Sequence, residues 1–378
     1  MLSPGKPIIT ANQVTVARLI PMPLLSWLLY EGGKHGYAGN PYMWTALIVG
    51  VFLGCTDWVD GMLARKYGPT VLGGLLDPIA DKVFIAFAYV PFADDSIALV
   101  PAWACALMFV REFFITALRS AYEQRDLSLK TSWMAKFKTW SQMQGIGVML
   151  LFPLLANQRW VLTALLGGIV GIAIFLLGYF WIVRKKLYRG AIAMGASVAP
   201  ILALHLYNDI QLSLRIIMLF IVGLTWFSGL DYIYIGWPKL RARRDFSRAD
   251  AVRLIGAITI PTTLFAVLVK TPAPSWPLFA ILSLELACGG LDNLMSHHKK
   301  ATKSLAWGSR VLGISALLGG ALLVKEHADL FAYAAAAVSL VGVAAEFWRG
   351  RDYFLDKRIR EKALREAAPV EPASEPAS

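Results

Sequence analysis

The chain has 378 residues, of which 57% are hydrophobic and 16% charged, with a formal net charge of +12 and a mean hydropathy of +0.55. Soluble globular chains carry about 25% charged residues, so this balance excludes an ordinary soluble domain and places most of the chain in a bilayer. The basic residues sit in loops between apolar runs. That positive-inside pattern argues against nucleic acid as a partner and for membrane lipids and phosphorylated substrates as the counter-charge.

Apolar runs of about 20 residues, each long enough to cross a core of roughly 30 Å, recur along the sequence. Spanning backbone must satisfy its own hydrogen bonds, so an all-α polytopic membrane bundle is expected. Twelve spans are predicted, near 10–30, 42–62, 75–92, 97–118, 138–156, 160–183, 191–207, 212–237, 250–269, 276–294, 304–324 and 329–347. The first follows Lys6, contains Pro21 and Pro23, and has no small-residue cleavage pattern after it, so it reads as a span rather than a signal peptide. Asp57 and Asp60 lie near the end of span 2, Arg65 and Lys66 follow it, and span 3 opens on Asp77 and Asp81.

Charge alternates from loop to loop. Arg65/Lys66, then Arg119, Arg125, Lys130, Lys136 and Lys138, form the start of one rich set. It continues through Arg184, Lys185, Lys186 and Arg189, then Lys239, Arg241, Arg243, Arg244 and Arg248, and ends at Lys299, Lys300 and Lys303. The other set is sparse: Lys34, Arg159, Asp209, Lys270 and Lys325-Glu326. Twelve spans put both termini and every rich loop on the cytoplasmic side of an inner membrane. From about 365 the sequence is rich in Pro, Ala and Glu and is expected to be disordered. Cys55, Cys105 and Cys288 lie in apolar runs with neither disulfide nor zinc spacing, and His297-His298 reads as part of a basic surface loop.

Short matches recur at nearly constant offset. Val16–Ile20 resembles Ala251–Ile255, Val59–Met62 resembles Leu291–Leu294, and Glu112–Phe114 resembles Glu346–Trp348, at offsets of 235, 232 and 234. Spans 9–12 are therefore expected to be a degenerate parallel copy of spans 1–4. In that copy Gly289 stands at the position of Asp57 and Asn293 at that of Gly61, the positions of Asp77 and Asp81 fall near Ser309 and Gly313, and only Asp292 persists among the acids.

Asp57 and Asp60, three apart, share one helix face, and Asp77 and Asp81, four apart, share another. The connection of about a dozen residues between the pairs is short enough to make the helix ends neighbours. Four carboxylates then converge at the membrane surface, where their repulsion calls for cations. Oxygen ligands in this number suit one or two Mg²⁺ or Mn²⁺ ions that also bind substrate phosphates. Gly61 allows close approach, Ala64 keeps the face shallow, and the fork of Arg65 can hold pyrophosphate oxygens. Asp77 before Pro78 is also the pattern of a helix N-cap with Pro at N1.

The segments Asp57-x-x-Asp60-Gly61-x-x-Ala64-Arg65 and Gly73-x-x-x-Asp77-x-x-x-Asp81 resemble the signature of the CDP-alcohol phosphatidyltransferase family. The one departure is a spacer of seven residues instead of eight. The resemblance implies CDP-diacylglycerol as donor, CMP as leaving group and an alcohol as acceptor. It implies that Asp57, Asp60, Asp77 and Asp81 ligate two divalent ions, that Asp81 also takes the acceptor proton, and that Gly61, Ala64 and Arg65 line the nucleotide pocket.

The resemblance extends to the branch that makes phosphatidylglycerophosphate, through Asn12-x-x-Thr15-x-x-Arg18, Arg111-Glu112 with Ala117-Leu118-Arg119, and Lys136-x-Lys138-Thr139-x-x-Gln142-Met143. Glycerol 3-phosphate is then the expected acceptor, with inositol phosphate, phosphatidylglycerol or an amino alcohol as alternatives. Arg111, Arg119, Lys136 and Lys138 are candidates to grip its phosphate; the alternatives are positive-inside topology for the last three and an ion pair with Glu112 for Arg111. The expected organisation is a catalytic domain over 1–245 with an inserted helix pair near 160–207, a non-catalytic copy over 246–350, and a cytoplasmic tail over 351–378. Members of the family are commonly dimers, so a homodimer, or a pseudo-dimer within one chain, is expected. A secondary transporter also shows two parallel halves, but its site would lie at the midplane between them.

Overall fold

The computed structural model describes residues 10–67, 71–94, 99–125, 127, 133–297 and 305–355. The expected tail from 365, together with Lys6, Lys130, His298, Lys299, Lys300 and Lys303, lies outside the described residues.

The described chain is helical. Its elements are α1 (Ala11–Leu19), α2 (Met22–Lys34), α3 (Pro41–Tyr67), α4 (Val71–Ala93), α5 (Ala102–Glu123), α6 (Trp133–Leu154), α7 (Arg159–Arg184), α8 (Arg189–Tyr207), α9 (Ile210–Phe227), α10 (Trp237–Ala242), α11 (Arg248–Lys270), α12 (Ser275–His297), α13 (Leu305–Leu323) and α14 (Ala328–Leu355), with a π turn at Tyr232–Gly236 before α10. Among the described residues the twelve expected spans fall on helices, the first and the eighth each divided between two. Among the described residues seven helices are long and apolar enough to cross a membrane, beginning with Pro41–Tyr67 and ending with Lys325–Arg351. The chain is an integral membrane protein with an all-α polytopic fold.

Span 1 differs from its expected form, being two helices instead of one. Pro21 lacks the N–H that would continue the first helix, so the chain breaks after Ile20 and restarts with Pro23 in the first turn of α2. The start of α1 is fixed by a capping box, in which Thr10 accepts from Gln13 N and the Gln13 side chain accepts from Thr10 N. Asn40 plays the same part for α3, accepting from Tyr42 N at 2.7 Å.

Short α1 packs against both α3 and α4 and is wedged between the two helices that carry the aspartates. The middle of α4 is the most enclosed part of the fold: Ala86, Ala88, Tyr89, Val90 and Phe92 are fully buried. Close crossings tighten this core. A Cβ on Gly145 of α6 would sit 2.3 Å from Tyr89 Oη, so only glycine lets α6 approach α4 this closely. Helices α7 and α8 pack mainly on each other, and α7 exposes Ile172, Ile174, Phe175 and Ile182 as a lipid-facing side would.

Helices α11 to α14 form a quartet laid against α4 and α5: α11 runs along α5, and α12 lies against both. Gly289 and Gly290 face that contact, with a Cβ on Gly290 meeting Ile79 Cγ1 at 2.7 Å. Gln124 donates to Ser296 Oγ at 3.1 Å across it, and Arg125 clamps the start of α11 through Asp250 at 2.7 Å and Asp245 at 2.9 Å.

Candidate active site

Helices α3 and α4 each present their two aspartates toward α1. Thr15 and Arg18, one turn apart on α1 and both buried, stand among all four. Thr15 Oγ1 lies 3.1 Å from Asp60 Oδ2 and 3.0 Å from Asp77 Oδ1. It is also 3.1 Å from the carbonyl of Ala11, so one hydroxyl proton serves three acceptors. Arg18 spans the other pair, donating from Nη1 to Asp57 Oδ1 at 2.5 Å and from Nη2 to Asp81 Oδ1 at 2.9 Å.

The exposure of the acids is uneven. Asp60 is buried, whereas the side chains of Asp57 and Asp81 keep 46% and 32% of their surface exposed. Asp77 is half-buried as well, so the mouth of the site is on the side of Asp57, Asp77 and Asp81, and Asp60 forms its floor. Asp77 is not a helix start. Helix α4 begins at Val71, and the carboxylate reaches across to Thr15 instead of capping its own helix.

Among the described residues no three His, Cys, Asp or Glu side chains stand close enough together to hold a metal ion. The acids meet in two pairs, one joined by a hydroxyl and the other by a guanidinium. The donor chemistry still fits a hard divalent cation: every candidate ligand is a carboxylate oxygen, three of the four are partly exposed, and the buried Arg18 marks the cluster as one that takes positive charge.

Gly61 and Arg65 follow on the next turn of α3. The nearest atom that a Cβ on Gly61 would meet is Arg65 Nη1 at 3.5 Å, so the glycine face is open apart from its own arginine. Arg65 is exposed and Ala64 half-buried.

A family model, CDP-alcohol phosphatidyltransferase, matches residues 8–180. A CDP-diacylglycerol–glycerol-3-phosphate 3-phosphatidyltransferase of Bacillus subtilis is 31% identical over 150 residues, 38% of this chain and 77% of the relative. The chain belongs to the CDP-alcohol phosphatidyltransferase family. A probable phosphatidylglycerophosphate synthase of Mycobacterium tuberculosis is 35% identical over 142 residues, 37% of this chain. A CDP-diacylglycerol–glycerol-3-phosphate 3-phosphatidyltransferase of Pectobacterium atrosepticum is 37% identical over 119 residues, 30% of this chain. In both cases the chain spans 65% of the relative's length. No solved structure matches the chain.

The family match contains all four aspartates, Arg65 and the four cations considered for the acceptor, and it ends before α8 begins. Those four cations are not one cluster. Arg111 and Lys138 both turn to buried Glu112, at 3.5 and 2.5 Å, and Arg111 also donates to Ser228 at 2.8 Å. Lys136 is exposed at the start of α6. Arg119 is exposed and lines a cavity of about 340 Å³ between α4, α5 and α12, together with Lys82. Sequence reasoning gave no role in the site to Thr15, Arg18 or Lys82. The available signal was the spacing of Asn12, Thr15 and Arg18, which places the last two on one helix face but does not say what that face meets.

Proposed function

We propose that this chain transfers the phosphatidyl group of CDP-diacylglycerol to glycerol 3-phosphate, releasing CMP and forming phosphatidylglycerophosphate. The observation that carries the proposal is the convergence of Asp57, Asp60, Asp77 and Asp81 on Thr15 and Arg18 in a member of this family. The names of the bacterial relatives, which cite glycerol 3-phosphate, favour that acceptor over inositol phosphate, phosphatidylglycerol or an amino alcohol.

In this reading the acceptor hydroxyl oxygen forms a bond to the donor phosphorus that bears the diacylglycerol, and the bond from that phosphorus to the CMP oxygen breaks. Asp81, partly exposed at the mouth, takes the hydroxyl proton. Asp57, Asp60, Asp77 and Asp81 would hold two divalent ions, Mg²⁺ or Mn²⁺, which when bound neutralise the pyrophosphate and the leaving CMP. Thr15 and Arg18 fix the carboxylates in place, and Arg65, beside open Gly61 and Ala64, binds the nucleotide end of the donor. Arg119 and Lys136 are free to meet the acceptor phosphate, whereas Arg111 and Lys138 act through Glu112 as a buried support. The positive-inside pattern of the basic loops supports a cytoplasmic orientation for this mouth and for both termini.

Residues 246–350 read as the degenerate copy. Asp250, Arg253 and Asp292 stand at the positions of Thr15, Arg18 and Asp60, and Arg253 pairs with Asp292 at 2.8 Å and with Asp250 at 3.4 Å. An internal ion pair has taken the place of an open acidic site. The two halves meet through non-equivalent helices, α4 and α5 against α11 and α12, so the contact is head-to-tail, unlike a self-complementary dimer interface. Purified protein given labelled CDP-diacylglycerol, Mg²⁺ and a panel of alcohols tests the activity: phosphatidylglycerophosphate should form with glycerol 3-phosphate. CMP release with another alcohol alone would replace that acceptor, and none with any alcohol would reject the proposal.

A further inference from the structure

We infer that α12, from the C-terminal quartet, completes the binding pocket for a phosphate-bearing alcohol, with Asn293 as a specificity-determining residue; the inference rests on the transfer reaction proposed above. The cavity of about 340 Å³ has three walls, each one helix ridge. Pro78 and Lys82 supply the first, and each directly follows a site aspartate on α4, Asp77 or Asp81. The cavity ridge is thus turned by roughly 100° from the carboxylate ridge on the same helix. Thr116 and Arg119 of α5 form the second wall, and Gly290 and Asn293 of α12 the third.

The lining suits a phosphate ester of a small polyol. Lys82 Nζ donates to Thr116 Oγ1 at 2.7 Å, and the proton of that hydroxyl goes to the Glu112 carbonyl at 2.6 Å, so the threonine holds the ammonium in place. Arg119 has no ion-pair partner among the described residues, and Glu123 is the single acid on the walls. Two cations against one carboxylate favour an anion. Asn293 Oδ1 is buried with no hydrogen-bond partner among the described residues. A buried amide oxygen left in that condition lacks a donor, and a polyol hydroxyl is one. The volume lies at the small end of ligand sites, roughly 300–1,000 Å³. Gly290 makes the third wall possible, because any side chain there would strike Ile79 and push α12 off α4.

The phosphate could belong to a soluble ester or to a lipid headgroup, and the experiment separates them. Full-length protein in nanodiscs of neutral phosphatidylcholine is assayed for CMP release, with Asn293→Phe to fill the cavity and Asn293→Ala to remove the amide. We expect KM for glycerol 3-phosphate to rise by roughly tenfold in Asn293→Phe and roughly threefold in Asn293→Ala, with KM for CDP-diacylglycerol within about twofold. In a second arm without donor, glycerol 3-phosphate should raise the Tm of the wild type and not that of Asn293→Phe. Unchanged KM for glycerol 3-phosphate in both variants, or Tm shifts produced by phosphatidylglycerol in the nanodisc in place of the soluble ester, overturns the inference. If the wild type releases no CMP but shows the Tm shift that Asn293→Phe lacks, the pocket stands and the transfer reaction falls.

Discussion

Arg18 and Asp81 are 63 positions apart in the chain and meet at 2.9 Å, with the other arm of the same guanidinium on Asp57. One buried cation therefore ties the two acidic helices together through a third. Its removal leaves two partly exposed carboxylates facing each other without their shared cation. Arg18→Gln is expected to lower Tm strongly in the presence of a chelator, with part of the loss recovered on adding Mg²⁺. Differential scanning fluorimetry with EDTA and with Mg²⁺ checks this, and equal losses in both would argue against a metal at these acids.

Thr15→Val keeps the shape of the side chain and deletes the hydroxyl shared by Asp60 and Asp77. The lost hydrogen bond should cost about 1 kcal/mol of stability. The freed carboxylates should reduce CMP release by roughly tenfold, a 1.4 kcal/mol effect. Chemical denaturation and steady-state assays on the same preparation measure the two separately.

Helices α11 and α13 cross so closely that a Cβ on Gly256 would lie 2.1 Å from Val311 Cγ1. Gly256→Ala is therefore expected to destabilise the C-terminal quartet by about 1–3 kcal/mol through overpacking. Val311→Ala in the same chain should restore part of it. A double-mutant cycle on Tm tests the pair, and additive losses would contradict the crossing.

Arg125 holds Asp250, whose side chain is 1% exposed, and Asp245 beside it. Arg125→Ala should loosen the start of α11 and expose the connection near Phe246 to proteolysis more than any change at Asp245 does. Limited proteolysis with mass mapping reads this directly; equal cleavage in Arg125→Ala and Asp245→Asn would contradict the weight given to Asp250.

Much of this was legible in the sequence because it depends on local spacing. Asp57 with Asp60, and Asp77 with Asp81, share faces through helix periodicity alone, and a short connection brings the faces together. Apolar length located the helices, though not the break within the first expected span. Thr15 and Arg18 were legible as one face of a helix, but their partners lie 39 to 63 positions away and are set by the wedge of α1 between α3 and α4. Pro21 and Pro23 were visible in span 1, yet the break they cause became clear only in three dimensions. The cavity at Lys82 and Asn293 arises where two distant segments pack, and neither segment carries a local mark of it.

The central claim is that the aspartate cluster performs phosphatidyl transfer with Asp81 as the proton acceptor. It is tested most directly by CMP release from CDP-diacylglycerol and glycerol 3-phosphate at fixed Mg²⁺, compared between the wild type and Asp81→Asn. The account predicts a loss of at least about 10²-fold, with the helical circular dichroism signal retained. Turnover by Asp81→Asn within about twofold of the wild type would contradict it.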